Sequence, residues 1–249
     1  AAHLLGDGVA RLLFPLPDFA HEVLARLGRC RSHVMAADVL ALQLDAPAVL
    51  LGSGKEASLC DEIAQAGRTF DTITQVVSIE NYGDVLSSDY QSWTVANAIL
   101  EAAERFTTAE HEPALQQYLL VTGSLKALAE KRYDPSLILD AYLLRSLAVA
   151  GYAPSLTICS RCDAQGPHKF FSLQGGGSVC VSCKPAACAT PALATLELMA
   201  NLLTGDWEQA KMSEAKNRSE ASGLIAAYLQ WHLERGLRSL PLVERVSRG

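Results

Sequence analysis

The sequence predicts a mainly α protein. A helical domain over residues 81–249 carries an inserted four-cysteine zinc knuckle at 157–186 and follows an atypical N-terminal region over residues 1–80. Three observations predict this. Hydrophobic residues make up 49% of the 249 and aromatics only 6%, with Leu and Ala dominant, a balance that supports a large core and leans towards helices. Apolar residues recur at helical spacing through the segments on both sides of the cysteines. Four of the seven cysteines fall between residues 159 and 183 as two CxxC pairs.

Residues 1–67 give weak signals. "DFAHEVLARLG" reads as a short helix from Asp18 to Gly28, and "VLALQLDAPAVLLGSG" as a hairpin turning at Asp45–Pro47. Gly52, Gly54 and Gly67 bracket a further short helical stretch. "RTFDTITQVVSIENYG" is the clearest strand, β-branched from Thr72 to Ile79 and closed by Asn81–Gly83. The period then becomes helical. "DYQSWTVANAILEAAERF" sets Trp93, Ala96, Leu100, Ala103 and Phe106 on one face, and "PALQQYLLVTGSLKALAEKR" does the same with Leu115, Leu119, Leu125 and Leu128. "DPSLILDAYLLRSLAVAG" has an Asp-Pro entry and a Gly151 stop. "TPALATLELMANLLTG" takes Thr190 as its cap with Pro191 at the first helical position, and "SEASGLIAAYLQWHLERGL" follows.

The pairs Cys159/Cys162 and Cys180/Cys183 are separated by seventeen residues. Each CxxC turn aims two thiolates at one centre, and two turns supply a tetrahedral set for a structural Zn²⁺ with no open position for a catalytic water. "KFFSLQGGGSVC" between them reads as strand, Gly-rich turn and strand, a hairpin too small for a core of its own that metal ligation would hold. Two disulfides, or a redox CxxC, would use the same thiols. The clustering is unlike a secreted framework, and neither pair opens a helix after a strand, so zinc is the favoured reading. His168 and Cys188 read as bystanders, Cys30 and Cys60 as buried small residues.

Other chemistry is excluded where motifs fail. "LLGSGKEAS" lacks the spacing and the Ser/Thr of a phosphate loop, and the His-Glu steps at 21–22 and 111–112 lack a second histidine. Glu101, Glu104 and Asp140 read as a solvated rim beside apolar faces, so no catalytic constellation emerges and the chain is expected not to be an enzyme. No apolar run reaches the roughly 18 residues of a membrane span, and the opening "AAHLLGDGVARLLF" predicts no secretory leader. A cytoplasmic location is expected. A net charge of −6 argues against bulk electrostatic binding of nucleic acid, though not against a local basic face.

The order "TITQVVSIENY", several helices, "LILDAYLLRSLAVAGYAPSLTICSRC", "GGGSVCVSCKP" and "LIAAYLQWHLERGLRSLPLVER" resembles the RecO family of bacterial recombination mediators, its actinobacterial branch most closely, over about residues 68–249. The resemblance implies an N-terminal OB-fold, a helical domain with zinc held by Cys159, Cys162, Cys180 and Cys183, and a pocket for the tail of single-stranded DNA-binding protein (SSB). It also implies binding and annealing of single- and double-stranded DNA, and loading of RecA with RecR onto SSB-coated strands. That work is cytoplasmic and nucleoid-associated. Residues 1–67 depart from the pattern: five Lys/Arg stand against eight Asp/Glu where the family has a basic barrel. The expectation there is a diverged or incomplete OB-fold-like region, native to the chain or joined to it as foreign or shifted sequence near Gly67. Only "TFDTITQVVSI" looks like a barrel strand, and it needs a partner for its edge.

Candidate DNA contacts are Arg161 in the first knuckle, Lys169 on the hairpin, Lys184 after the last ligand, and Arg235 and Arg238 near the end. Phe170 and Phe171 are candidates for stacking on bases, and at adjacent positions at least one of them is expected to pack inward. A solvated face explains these charges about as well. The alternative function is a zinc-stabilised helical docking module for proteins that has lost DNA binding.

Overall fold

The computed structural model describes residues 58–65, 72–107, 114–233 and 236–243. The helix expected at Asp18–Gly28, the hairpin at Asp45–Pro47, Cys30 and Arg235 lie outside the described residues. So does the rest of the OB-fold-like expectation.

Strand β2 (Thr72–Asn81) is the strand its β-branched run predicts. It pairs antiparallel with β1 (Ser58–Gln65), from Ser58 opposite Asn81 to Gln65 opposite Thr72. Within the stretch between Gly54 and Gly67, residues 58–65 are therefore a strand and not part of a short helix. A strand with an unpaired ladder of N–H and C=O groups recruits whatever chain precedes it, and that gain overrides weak local propensity. The register slips at Leu59/Cys60 and Ile63/Ala64, as in a pair containing bulges.

The described remainder is mainly helical. A single turn α1 (Gly83–Ser87) leads into α2 (Tyr90–Phe106), whose first turn is capped by Asp89 accepting the Ser92 N–H at 2.8 Å. After α3 (Leu115–Ala129), Asp134 caps α4 (Pro135–Val149) through the Ser136 N–H at 2.9 Å, with Pro135 at the first position. Helix α4 packs against α2 and α3 and against α5 (Leu193–Thr204) and α7 (Ala215–Leu233). Every residue from Ser136 to Leu147 is buried, as a helix apolar nearly all round requires. The five-residue α6 (Trp207–Lys211) links α5 to α7, and a 3₁₀ turn spans Leu240–Leu242.

Several expectations are corrected. On α3 the buried face runs through Gln117, Leu120, Val121, Ser124 and Leu128, while Leu115, Leu119 and Leu125 are only half-buried. Small or hydrogen-bonded polar residues let α3 approach α4: the Gln117 amide donates to the Ser146 carbonyl at 3.0 Å. Helix α5 starts at Leu193, after Ala192 and not after Thr190, and its first-turn donors are met from α7, where Glu220 accepts the Ala192 N–H at 3.0 Å and the Thr195 hydroxyl. Asp140 is no rim residue; it is buried and accepts from the Ser222 hydroxyl.

Glu101 is not solvated either. It accepts the N–H groups of Arg238 and Ser239, both at 2.8 Å, and the Ser239 hydroxyl, pinning the segment 236–243 onto α2. Partial burial pushes its carboxyl up, but the Ser239 hydroxyl and the two amides outweigh that and hold it below the ordinary value. A depressed folded pKa contributes stability above the unfolded value that is lost as pH falls through the folded one. Glu101→Ala is expected to speed hydrogen exchange of the Arg238 and Ser239 amides by about tenfold or more. Acidification of the wild type through the Glu101 pKa should lower the protection factors of the same two amides, taken relative to the intrinsic rate at each pH, with those of α4 unchanged in both cases.

Candidate metal centre

The chain leaves α4 through Gly151 at φ 87°, where the Tyr152 N–H reaches back to the Leu147 carbonyl at 2.7 Å. It then runs alongside a hairpin. Strand β3 (Phe170–Ser172) pairs antiparallel with β4 (Gly177–Val179), the strand–turn–strand that "KFFSLQGGGSVC" predicts. Ser155 clamps one edge, donating to the Gly176 carbonyl at 2.9 Å and accepting the Ser178 N–H at 2.7 Å. Gly177 sits at φ 136°, and a Cβ there would lie 2.2 Å from the Ser155 oxygen, so only glycine fits. Phe171 and Ala189 exchange N–H···O bonds at 2.9 and 2.8 Å on the other edge. Phe171 is buried edge-on against Tyr228 of α7, which anchors the hairpin to the helices.

This frame brings both CxxC turns to one point. The first closes through the Cys159 N–H to Ala164 at 2.9 Å and the Asp163 N–H to Cys159 at 3.0 Å, with Asp163 left-handed at φ 57°. The second closes through the Cys183 N–H to the Cys180 carbonyl at 3.2 Å. All four sulfurs lie within 4.8 Å of one another, and the Cys162 and Cys180 sulfurs are 3.7 Å apart. The edge of a tetrahedron of sulfurs about Zn²⁺ is about 3.8 Å, from a Zn–S bond of about 2.3 Å. The thiols of Cys159, Cys162, Cys180, Cys183 and Cys188 are all free, so the structure does not carry the two-disulfide reading. Among the described residues the cluster holds only the four cysteines; neither Cys188 nor His168 joins it, and the His168 ring contacts the Ala164 carbonyl at 2.9 Å instead.

Backbone amides supply electrostatic support. The Cys180 N–H points at the Cys159 sulfur at 3.4 Å and, with the Arg161 and Cys162 amides, lowers that thiol to about 6. The Cys183 amide lowers Cys180. Cys162 is raised: its neighbour sulfurs on Cys159 and Cys180 outweigh the Ala164 amide. Cys183 is pushed up to about 12, chiefly by Cys162 and Cys180. Four crowded sulfurs cannot all ionise on their own; a divalent cation removes that conflict. The donor set therefore fits a soft metal ion such as the predicted zinc, with Cys159 buried, Cys180 and Cys183 half-buried and Cys162 exposed.

Arg161, Lys169 and Lys184 are exposed on this hairpin and its knuckles, and none makes an ion pair within the described residues. The Lys184 ammonium sits 4.3 Å over the ring of half-buried Phe170, while Phe171 packs inward. Arg238 lies elsewhere, in a groove of about 670 Å³ beside Trp93, Glu101, Arg105 and Leu242. Sequence reasoning missed that groove, because the Glu101 contact that shapes it spans 137 residues. It also missed a column of aromatic rings centred on Tyr228 and His232 of α7; the "YLQWH" spacing was its only local trace.

A family model described as "Recombination protein O C terminal" matches residues 87–241. The chain is 54% identical to the DNA repair protein RecO of Thermobifida fusca over 180 residues, covering 72% of this chain and 74% of that protein. It is 52% identical to the DNA repair protein RecO of Streptomyces avermitilis, covering 72% of each. The RecO of Frankia casuarinae matches at 48%, covering 74% of this chain and 76% of that protein.

Proposed function

The chain belongs to the RecO family, and from that premise we propose that it is a recombination mediator of DNA repair with no catalytic activity of its own. It binds single- and double-stranded DNA, anneals complementary strands, and with RecR helps load RecA onto SSB-coated single strands. One observation carries the reading: the family match at 87–241 spans both the helical unit and the four-sulfur centre. The centre holds a structural zinc through Cys159, Cys162, Cys180 and Cys183, and fixes where Arg161, Lys169 and Lys184 meet phosphates. The groove between α2 and the 236–243 segment has the size of a peptide site and two guanidinium groups, Arg105 and Arg238, on its rim; it would receive the SSB tail. No described helix is long and apolar enough to cross a membrane, in keeping with work in the cytoplasm at the nucleoid.

A second reading, the protein-docking module without DNA binding, also has an observation behind it. Residues 157–186 carry three Lys/Arg and one acidic residue, Asp163, while Zn²⁺ with four thiolates has a formal charge of −2, which leaves the segment neutral. Fluorescence anisotropy of a labelled oligothymidine, titrated with the zinc-loaded chain at low and moderate salt, separates the two. The mediator is expected to bind weakly and to lose affinity as salt rises. A folded, zinc-loaded chain that does not bind at low salt would be a docking module.

A further inference from the structure

Tyr152 follows the Gly151 turn and is 44% exposed. Its inner face stacks on the His232 imidazole of α7, with centroids 4.5 Å apart and planes 29° from parallel. His232 meets Tyr228 edge-on at 4.5 Å, and Tyr228 meets Phe171 of the metal hairpin at 5.7 Å. Four rings thus run in a column from the base of the hairpin to the surface. Burial holds the His232 imidazole below its ordinary pKa, and its buried Nε2 has no hydrogen-bond partner among the described residues, so it serves as a neutral ring. Neither the metal centre nor the groove uses Tyr152.

We propose that Tyr152, backed by His232, is a base-stacking plate for single-stranded nucleic acid. The proposal rests on the mediator reading above and extends its contact from the basic end of the hairpin to the other end. Strands β3 and β4 are three residues long, about 10 Å. Lys184 over Phe170 marks one end, and the Gly176 turn lies against the Tyr228 hydroxyl at the other. Ser155, three residues after Tyr152, pairs with Gly176 and Ser178 at that end, so the cations and the segment that carries the plate flank one short hairpin. With the metal segment near neutral, Arg161, Lys169 and Lys184 alone hold phosphates weakly, and a ring face, which every base can use, adds to them. Flat stacking takes any base face and fits a single strand, whose bases are free, better than a duplex.

The test measures binding of the full zinc-loaded chain to labelled oligothymidine and to the same strand made abasic. The wild type is expected to bind oligothymidine roughly five- to hundredfold more tightly than the abasic strand. Tyr152→Ala should lose that preference with an unchanged salt slope, Tyr152→Phe should keep it, and Lys184→Ala should lower the slope by about one. Tyr152→Leu keeps apolar bulk without a ring, so a loss shared by Ala and Leu in chains that melt like wild type belongs to the ring. Full base preference in Tyr152→Ala overturns the plate and leaves the mediator reading standing; Tyr152 would then face a protein. No binding of either strand by the wild type overturns both.

Discussion

Cys180→Ser is expected to lower zinc affinity by more than about a hundredfold and the melting temperature by about 10–15 °C. Cys180 holds three relations at once. Its sulfur is 3.7 Å from that of Cys162, its N–H supports the Cys159 sulfur at 3.4 Å, and its carbonyl closes the second knuckle. A serine hydroxyl keeps the backbone contacts but is a poor ligand for a soft metal ion, and the three remaining thiols recover the proton competition that crowding imposes. The loss stops short of the about 10–16 kcal/mol that zinc supplies to isolated finger peptides, because this hairpin keeps its Ser155 and Ala189 hydrogen bonds and the burial of Phe171 against Tyr228. Protease cleavage should appear within residues 157–186 before it reaches α4. Cys188→Ser, outside the cluster, should retain one zinc per chain and the wild-type melting point. Stoichiometric zinc and unchanged melting in Cys180→Ser would remove the structural-metal reading.

The gathering of the four cysteines was legible because its information is local. Two CxxC turns and a glycine-bearing hairpin each specify their own geometry within a few residues, and Gly177 has to be glycine against Ser155. Helices α2 and α4 were legible in the same way, through period and, for α4, an Asp-Pro entry, and α7 was legible from Ser219 although it starts at Ala215. What failed depended on distant partners. Strand β1 forms because β2 offers it an edge, not because "SLCDEIAQ" prefers extension. Gln117 and Ser124 face inward on α3 because α4 lies there, whereas polarity alone puts them in water. Helix α5 starts after Ala192 because a carboxylate from α7, Glu220, meets its donors. Glu101 and Asp140 read as surface charges until Ser239 and Ser222 are brought to them by the fold. The Tyr152 column likewise needs three elements to converge.

Arg145→Ala is the second change expected to act strongly, at a cost of about 3–5 kcal/mol, or about 10–15 °C in melting temperature. Sequence periodicity would place an arginine in "DAYLLR" on a helix flank, yet Arg145 is 1% exposed. Its Nε donates to the Leu202 carbonyl at 3.0 Å, one of the last carbonyls of α5, where the helix dipole is negative. Its guanidinium lies 5.4 Å from the centre of the Trp207 ring, which stacks at 4.1 Å on Tyr133, which in turn carries the Lys211 ammonium at 5.0 Å. Gly205 ends α5 at φ 90°, and a Cβ there would come within 3.1 Å of the guanidinium. One side chain therefore joins α4, the end of α5 and α6. Burial pulls its pKa down to about 10, so the charge persists at neutral pH and alanine removes a cation, a carbonyl's partner and a large volume together. Arg145→Met restores volume without the donor and should recover only part of the loss; Arg145→Lys keeps charge but not the planar fork over Trp207 and should also fall short. Because the hairpin is anchored through Phe171 and α7, zinc content should survive all three changes. A chemical-denaturation loss under about 1 kcal/mol for Arg145→Ala would mean that the guanidinium is a passenger in the core and that the α5–α6 corner holds without it.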